Sequence, residues 1–237
     1  MAERVFGVDG CLRGWAVVGI NREGRLDPEA RLFERLDPLV ASGAILSVDI
    51  PMGLPAKISG PGRVAEQAVR PLLGQRQSSV FSIPSRAAVY ANSYEEACRL
   101  AAATSNPLRK VSKQAFQIFA KVREMDGLLD RQNQTRVFET HAELAFWRLN
   151  GEEPMPTPKR VKGVPAREGL AERIALLERH GFQNSFFDEP PKHVPLIDLV
   201  DAAALALIAR RCADGTATPF PDPPGIDENG LRIAIWA

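Results

Sequence analysis

The stretch VFGVDGCLRGWAVVGI, residues 5–20, decides how the rest of the chain is read. It begins as a buried-type strand, breaks at Asp9, Gly10 and Gly14, and resumes as apolar chain. VFGVD (5–9) and GWAVVGI (14–20) therefore read as two strands joined tightly. After the turn NREGR, a weaker extended run around ARLFERL supplies a third strand, and the three predict an antiparallel meander. A short helix fits 37–42, and AILSVDIP (44–51) is a continuous β-rich run ended by Pro51.

Beyond residue 61 the hydrophobic period changes. GRVAEQAVRPLLG predicts a helix ending near Pro71, and SYEEACRLAAAT a helix capped by Ser93 with Glu95 and Glu96 in its first turn. Residues 111–130 carry apolar side chains at helical spacing. TRVFETHAEL returns to strand character and leads into a helix through WRL, while NGEEPMPTPKRVKG reads as an exposed loop. Helices fit 166–181 and 196–213, and the proline-rich PFPDPPG reads as a connection to a last extended run, LRIAIWA. Together these predict one α/β domain, 1–237. Its mixed sheet has three antiparallel strands followed by strands joined through helices, with residues 55–130 as a helical insertion.

With 30 basic and 29 acidic residues the net charge is +1, which argues against coating nucleic acid by bulk electrostatics. A small nucleotide or short single strand suits that balance better than a duplex. Two local basic stretches read as solvated helix faces, with a binding surface as the alternative: Arg109, Lys110, Lys113, Lys121 and Arg123, and Lys159, Arg160, Lys162, Arg167 and Arg173. Cys11, Cys98 and Cys212 are too dispersed for a disulfide framework or a zinc site. No apolar run approaches the roughly 18–20 residues that span a bilayer, and MAERVFGVDG carries no leader pattern, so a cytoplasmic protein without a membrane partner is expected.

Acids follow directly on apolar runs at four places: Asp9 after VFGV, Asp49 after AILSV, Glu139 after RVF, and Asp198 with Asp201 at the start of LIDLVDAAALALIAR. Carboxyl ends of parallel strands open onto one crevice, so these acids are expected to converge. Gathered carboxylates repel one another, and two divalent ions about 4 Å apart would offset that while clamping a phosphoryl group. Oxygen ligands of this kind suit Mg²⁺ or Mn²⁺. Plainer readings stand beside this one: Asp49 as a strand terminator, and Asp198 as a helix N-cap with Asp201 in the first turn. Asp9 resists such an account best, because a buried acid needs partners and the following glycines would let a ligand approach the backbone. Glu139, His141 and Glu143 alternate along VFETHAEL, and His141 is read either as a ligand or proton-transfer group or as a structural hydrogen-bonding residue. In GQRQSSVFSIPSR, residues 74–86, Arg76, Ser78, Ser79 and Arg86 offer an anion site, with a packed loop and solvent-facing serines as the alternative. A lysine of the 159–162 loop, Lys162 or Lys159, is a further candidate to steady a phosphate.

GVDGCLRGW, VDIPMGLP, RVAEQAVRPLLGQRQSSVFSIPSR, FETHAELAF and DLVDAAALALIARR together resemble, in that order, the blocks of the domain of unknown function 429 family. The resemblance implies a ribonuclease H-like fold and the family's computed role as a nuclease. By similarity to Holliday-junction resolvase relatives of that fold, Asp9 matches the first-strand aspartate, Asp49 the acid on the fourth strand, and Asp198 with Asp201 the acidic pair on the last helix. Glu139 matches the glutamate of the family's Glu-x-His-Pro-Glu block. The chain departs from that block at Ala142, where the family usually has proline, a change expected to touch local stiffness more than chemistry. It also has Glu66 where the family often has aspartate.

The expectation is thus a metal-dependent nuclease or phosphodiester hydrolase acting on nucleic acid or a small phosphoester. Asp9 would bridge two Mg²⁺ ions, Asp49 and Asp201 would each hold one, and Asp198 or Glu139 would complete the shell or orient water. An ATP-dependent phosphotransferase of the actin-like and sugar-kinase-related fold is the alternative enzyme, weakened by the lack of a second Asp-Gly-rich phosphate loop. A non-enzymatic binding protein is the third reading.

Overall fold

The computed structural model describes residues 3–237; Met1 and Ala2, where the leader reading begins, lie outside them. Strands β1 (Arg4–Cys11) and β2 (Gly14–Asn21) pair antiparallel from Arg4 opposite Asn21 to Cys11 opposite Gly14. Strand β3 (Glu29–Phe33) adds antiparallel to β2, and a short helix α1 (Asp37–Ala41) leads into β4 (Ile45–Val48), which pairs parallel with β1. Between β4 and the last sheet strand the chain is largely helical. It comprises α2 (Val64–Val69), a 3₁₀ stretch Arg70–Ser79, α3 (Arg86–Val89), α4 (Tyr94–Ala103), α5 (Lys113–Gln117) and α6 (Phe119–Leu128), with one small pairing of β5 (Ile58–Ser59) and β6 (Ser105–Asn106). Strand β7 (Val137–Glu139) joins β4 in parallel and completes a mixed five-stranded sheet of order β3-β2-β1-β4-β7. Because β1, β4 and β7 run the same way, their carboxyl ends share one edge.

Helix α7 (Ala142–Leu149) follows β7, the minor hairpin β8 (Arg160–Val161) and β9 (Val164–Pro165) follows that, and helices α8 (Arg167–Arg179) and α9 (Leu196–Ala213) come next. Ser93 accepts from the Glu96 N–H at 3.1 Å, the cap expected for α4. The chain ends in an antiparallel ribbon of β10 (Pro219–Ile226) and β11 (Arg232–Trp236). PFPDPPG is therefore strand rather than connecting loop. A register shift between Phe220 and Gly225 accommodates prolines that cannot donate to a ladder.

The sheet separates two apolar layers. Val5, Ala16, Val18 and Ile20 face α9 on one side, while Val8, Trp15, Val17, Leu46 and Val48 face the helical insertion on the other. This is the period-2 alternation of a strand buried on both faces. Helix α9 is itself buried from Ile197 through Ala209, as expected of a helix apolar all round. Gly7 explains how close it lies: a Cβ there would stand 2.1 Å from the Ala206 nitrogen and 2.2 Å from the Ala202 oxygen. Val5, Gly7 and Asp9 share one side of β1, so the contact that seats α9 on Gly7 also brings its first turns to Asp9. Among the described residues no helix is long and apolar enough to cross a membrane.

Candidate functional site

The carboxyl edge of the sheet and the start of α9 enclose a cavity of about 500 Å³. Asp9 reaches it from the end of β1, Asp49 from just past β4, Glu139 from the end of β7, and Asp198 and Asp201 from α9. The ladder continues slightly beyond the strands: the Asp49 N–H donates to the Val8 carbonyl and the Thr140 N–H to the Val48 carbonyl, both at 2.9 Å. Those two bonds hold the acid-bearing chain at the sheet edge. The N-cap of α9 is Pro195, so Asp198 lies inside the first turn and its capping role does not hold.

Asp9, Asp49, Asp198 and Asp201 line the same cavity. Asp9 accepts a hydrogen bond from the neighbouring Gly10 N–H at 2.9 Å. Burial raises its pKa well above the ordinary range, and Asp201, Asp49 and Asp198 raise it further against the opposing charge of Lys159. Burial also pushes Asp198 up to about 6, helped by Asp201 and opposed by Arg160. Asp201 is raised by burial despite an ion pair with the Lys159 ammonium, and its Oδ1 is buried without a hydrogen-bond partner. Asp49 Oδ2 accepts from the Ala142 N–H at 2.9 Å. A proline at 142 would lack that donor, so the substitution touches the acid cluster directly and not stiffness alone.

Glu139 does not join the open cluster. Its two oxygens accept from Arg63 at 3.0 and 2.5 Å, and Oε2 also accepts from the Met52 N–H at 2.7 Å. Arg63 simultaneously bonds Glu66 and the carbonyls of Met52 and Gly53. One buried guanidinium thus serves two buried carboxylates. Burial lifts Glu139 up to about 7, a rise that Arg63 opposes and Glu66 reinforces. Glu139 fastens β7 to α2 and to the chain after β4, which leaves Asp9, Asp49, Asp198 and Asp201 as the open acids. The lengthened arm at Glu66 is spent on Arg63, not on the cavity centre.

Among the substrate candidates, Arg76, Ser78, Ser79 and His141 line the cavity. Ser79 Oγ donates to the Arg76 carbonyl at 2.8 Å; His141 Nε2 lies 3.4 Å from the Ser79 carbonyl, and its Nδ1 is buried and unpartnered. Arg86 and Lys162 are elsewhere. Arg86 forms ion pairs with Asp126 and Asp227, because the chain turns into α3 away from the acids. Lys162 is exposed at the tip of the β8–β9 hairpin with φ +51°. The cations that do reach the acids are its neighbours: Lys159 on Asp201, and Arg160, 3.9 Å from Asp198.

Sequence reasoning placed Lys159 in a loop offered to steady a phosphate but missed its ion pair with Asp201, because PKRVKG has the composition of a solvated loop. It also missed Arg173, which is fully buried and pairs with both oxygens of Glu143 at 2.9 and 2.8 Å. A signal existed there, since Arg173 occupies the apolar stripe of α8 between Leu170 and Leu177. Gly10 lines the cavity beside Asp9, as expected of a residue that leaves room at the backbone. The space a Cβ would take lies 3.0 Å from Lys121 Cδ, and that ammonium donates to the Gly14 carbonyl at 2.6 Å.

Among the described residues no group of three or more His, Cys, Asp or Glu side chains is already set to hold a metal ion. Fold and site together define a mixed α/β domain with an acid-lined cavity at the carboxyl edge of its sheet. The family model described as protein of unknown function (DUF429) matches residues 7–226, and the chain belongs to that family. No curated protein and no solved structure matches it.

Proposed function

We propose that the chain is a divalent-metal-dependent phosphodiester hydrolase with a ribonuclease H-like architecture. The convergence of Asp9, Asp49, Asp198 and Asp201 on one cavity carries this reading. An antiparallel β1–β3 meander continued by parallel β4 and β7 supports the architecture.

The donor set fits a hard cation. Four aspartates offer oxygen alone, as Mg²⁺ and Mn²⁺ prefer, and buried Asp201 Oδ1 has no protein partner. Lys159 already acts as a counter-cation on the other Asp201 oxygen, so ion entry would require its ammonium to yield. Asp9, Asp49, Asp198 and Asp201 would hold the ions, which lower the pKa of a bound water and neutralise phosphoryl oxygens. The chain's own groups do the rest. Arg76, Arg160 and Lys159 bring positive charge to an anionic substrate, Ser78 offers its hydroxyl, and His141 lines the same cavity with its Nδ1 unpartnered.

The test is hydrolysis of labelled single-stranded DNA, RNA and a small activated phosphodiester in Mn²⁺, comparing wild type with Asp9→Asn. Loss of turnover by at least about a hundredfold in the variant is expected, as for removal of a principal electrostatic group. Equal turnover would end the proposal.

A further inference from the structure

A second cavity, of about 640 Å³, adjoins the acidic one and shares Ser78, Val80, Phe81 and Ile83 with it. Its charge is opposite. Arg70, Arg109 and Lys110 line it with the hydroxyls of Ser82, Ser105 and Ser112, and its lining contains no aspartate or glutamate. Arg109 and Lys110 are exposed, while Arg70 is half-buried and braced by bonds to the Val80 carbonyl and to Ser82 Oγ. Burial lowers the Arg70 pKa, and the nearby Arg109 charge lowers it further against the pull of Glu66. The cations therefore face one another with little acid to balance them. Phe81, 38% exposed on the wall between the cavities, presents an aromatic face.

We propose that this second cavity binds the phosphate backbone of a single-stranded nucleic acid, a base of which stacks on Phe81 while a neighbouring phosphate reaches the acidic cavity. A groove of serine hydroxyls, clustered cations and one exposed aromatic ring matches the chemistry that holds single strands without sequence preference. A duplex calls for a broad basic face, whereas three cations in one cavity suit the narrower track of a single strand. The placement of the reacting phosphate rests on the hydrolase reading above, but backbone binding itself needs no metal.

The experiment is fluorescence anisotropy of a labelled oligothymidylate of about ten nucleotides in EDTA, across a salt series. Three cations neutralising three phosphates give a log K against log salt slope of about −2, a loss of roughly twentyfold from about 50 to about 200 mM salt. Arg109→Gln/Lys110→Gln should reduce the slope by about 1.4, because two of the three phosphate contacts go. Both side chains are exposed, and circular dichroism is the check that the variant folds. Unchanged binding and slope in that variant would overturn the subsite, as would tighter binding of the matching duplex. If hydrolysis survives while the variant binds normally, the subsite alone fails. If oligonucleotide binding depends on Arg109 and Lys110 but no Asp9-dependent hydrolysis occurs, the subsite stands and the hydrolase reading fails.

Discussion

Asp198 shows the cost of burying a carboxylate beside another, since burial first and then the charge of Asp201 disfavour its ionised form. Its pKa rises to about 6 in the folded chain from an ordinary 3.8, so the folded state holds a proton that the unfolded chain releases. Its contribution to stability is fully present below pH 3.8 and is lost as pH rises through about 6. Asp198→Asn should therefore raise the melting temperature at pH 8 and change it little at pH 3.5, as thermal melts at the two pH values will reveal. Arg63 behaves in the opposite manner, because it holds Glu139 and Glu66 in a fully buried network. Arg63→Met leaves two carboxylates without their cation and should cost about 3–5 kcal/mol in denaturant unfolding. Adding Glu139→Gln should recover part of that loss in a double-mutant cycle.

The packing of α9 on β1 is the structural step on which the site depends. Gly7→Ala would place a methyl group within 2.2 Å of helix backbone, which cannot rotate aside as a side chain can. We expect a loss of about 3 kcal/mol, the upper end of ordinary overpacking, measured by denaturant titration. The displaced helix would carry Asp198 and Asp201 away from Asp9, so cation binding should weaken with stability. Elements set by local pattern were legible in the sequence: the β1–β2 pair from its glycine break, α4 from its Ser93 cap, and α9 from its unbroken apolar run. The acids at strand ends were legible for the same reason, because each directly follows an apolar run. What escaped were pairings across long separations, such as Arg63 with Glu139 and Lys159 with Asp201. Local composition reports solvent or core character but not which distant charge a side chain meets. The prolines of β10 misled in another way, since an irregular two-stranded ribbon tolerates residues that a central strand excludes.

Across the whole molecule a nearly neutral chain sorts its charges by place. The acidic cavity is lined by seven carboxylate residues against five cations, whereas the charged residues of the adjoining one are all cations. On the proposed reading, an anionic polymer would enter along the basic wall and react at cations that the aspartates would hold. At residue 142, where this chain departs from the family block, the Ala142 N–H ties α7 to Asp49 and so couples the helix after β7 to the acid after β4. The central claim is that Asp9, Asp49, Asp198 and Asp201 form a cation site, and the most direct measurement is an anomalous difference map from a crystal soaked in Mn²⁺. The account predicts a manganese peak bound by at least two of these aspartates, with the Lys159 ammonium displaced from Asp201. No peak at millimolar Mn²⁺, with Lys159 still paired to Asp201, would contradict it.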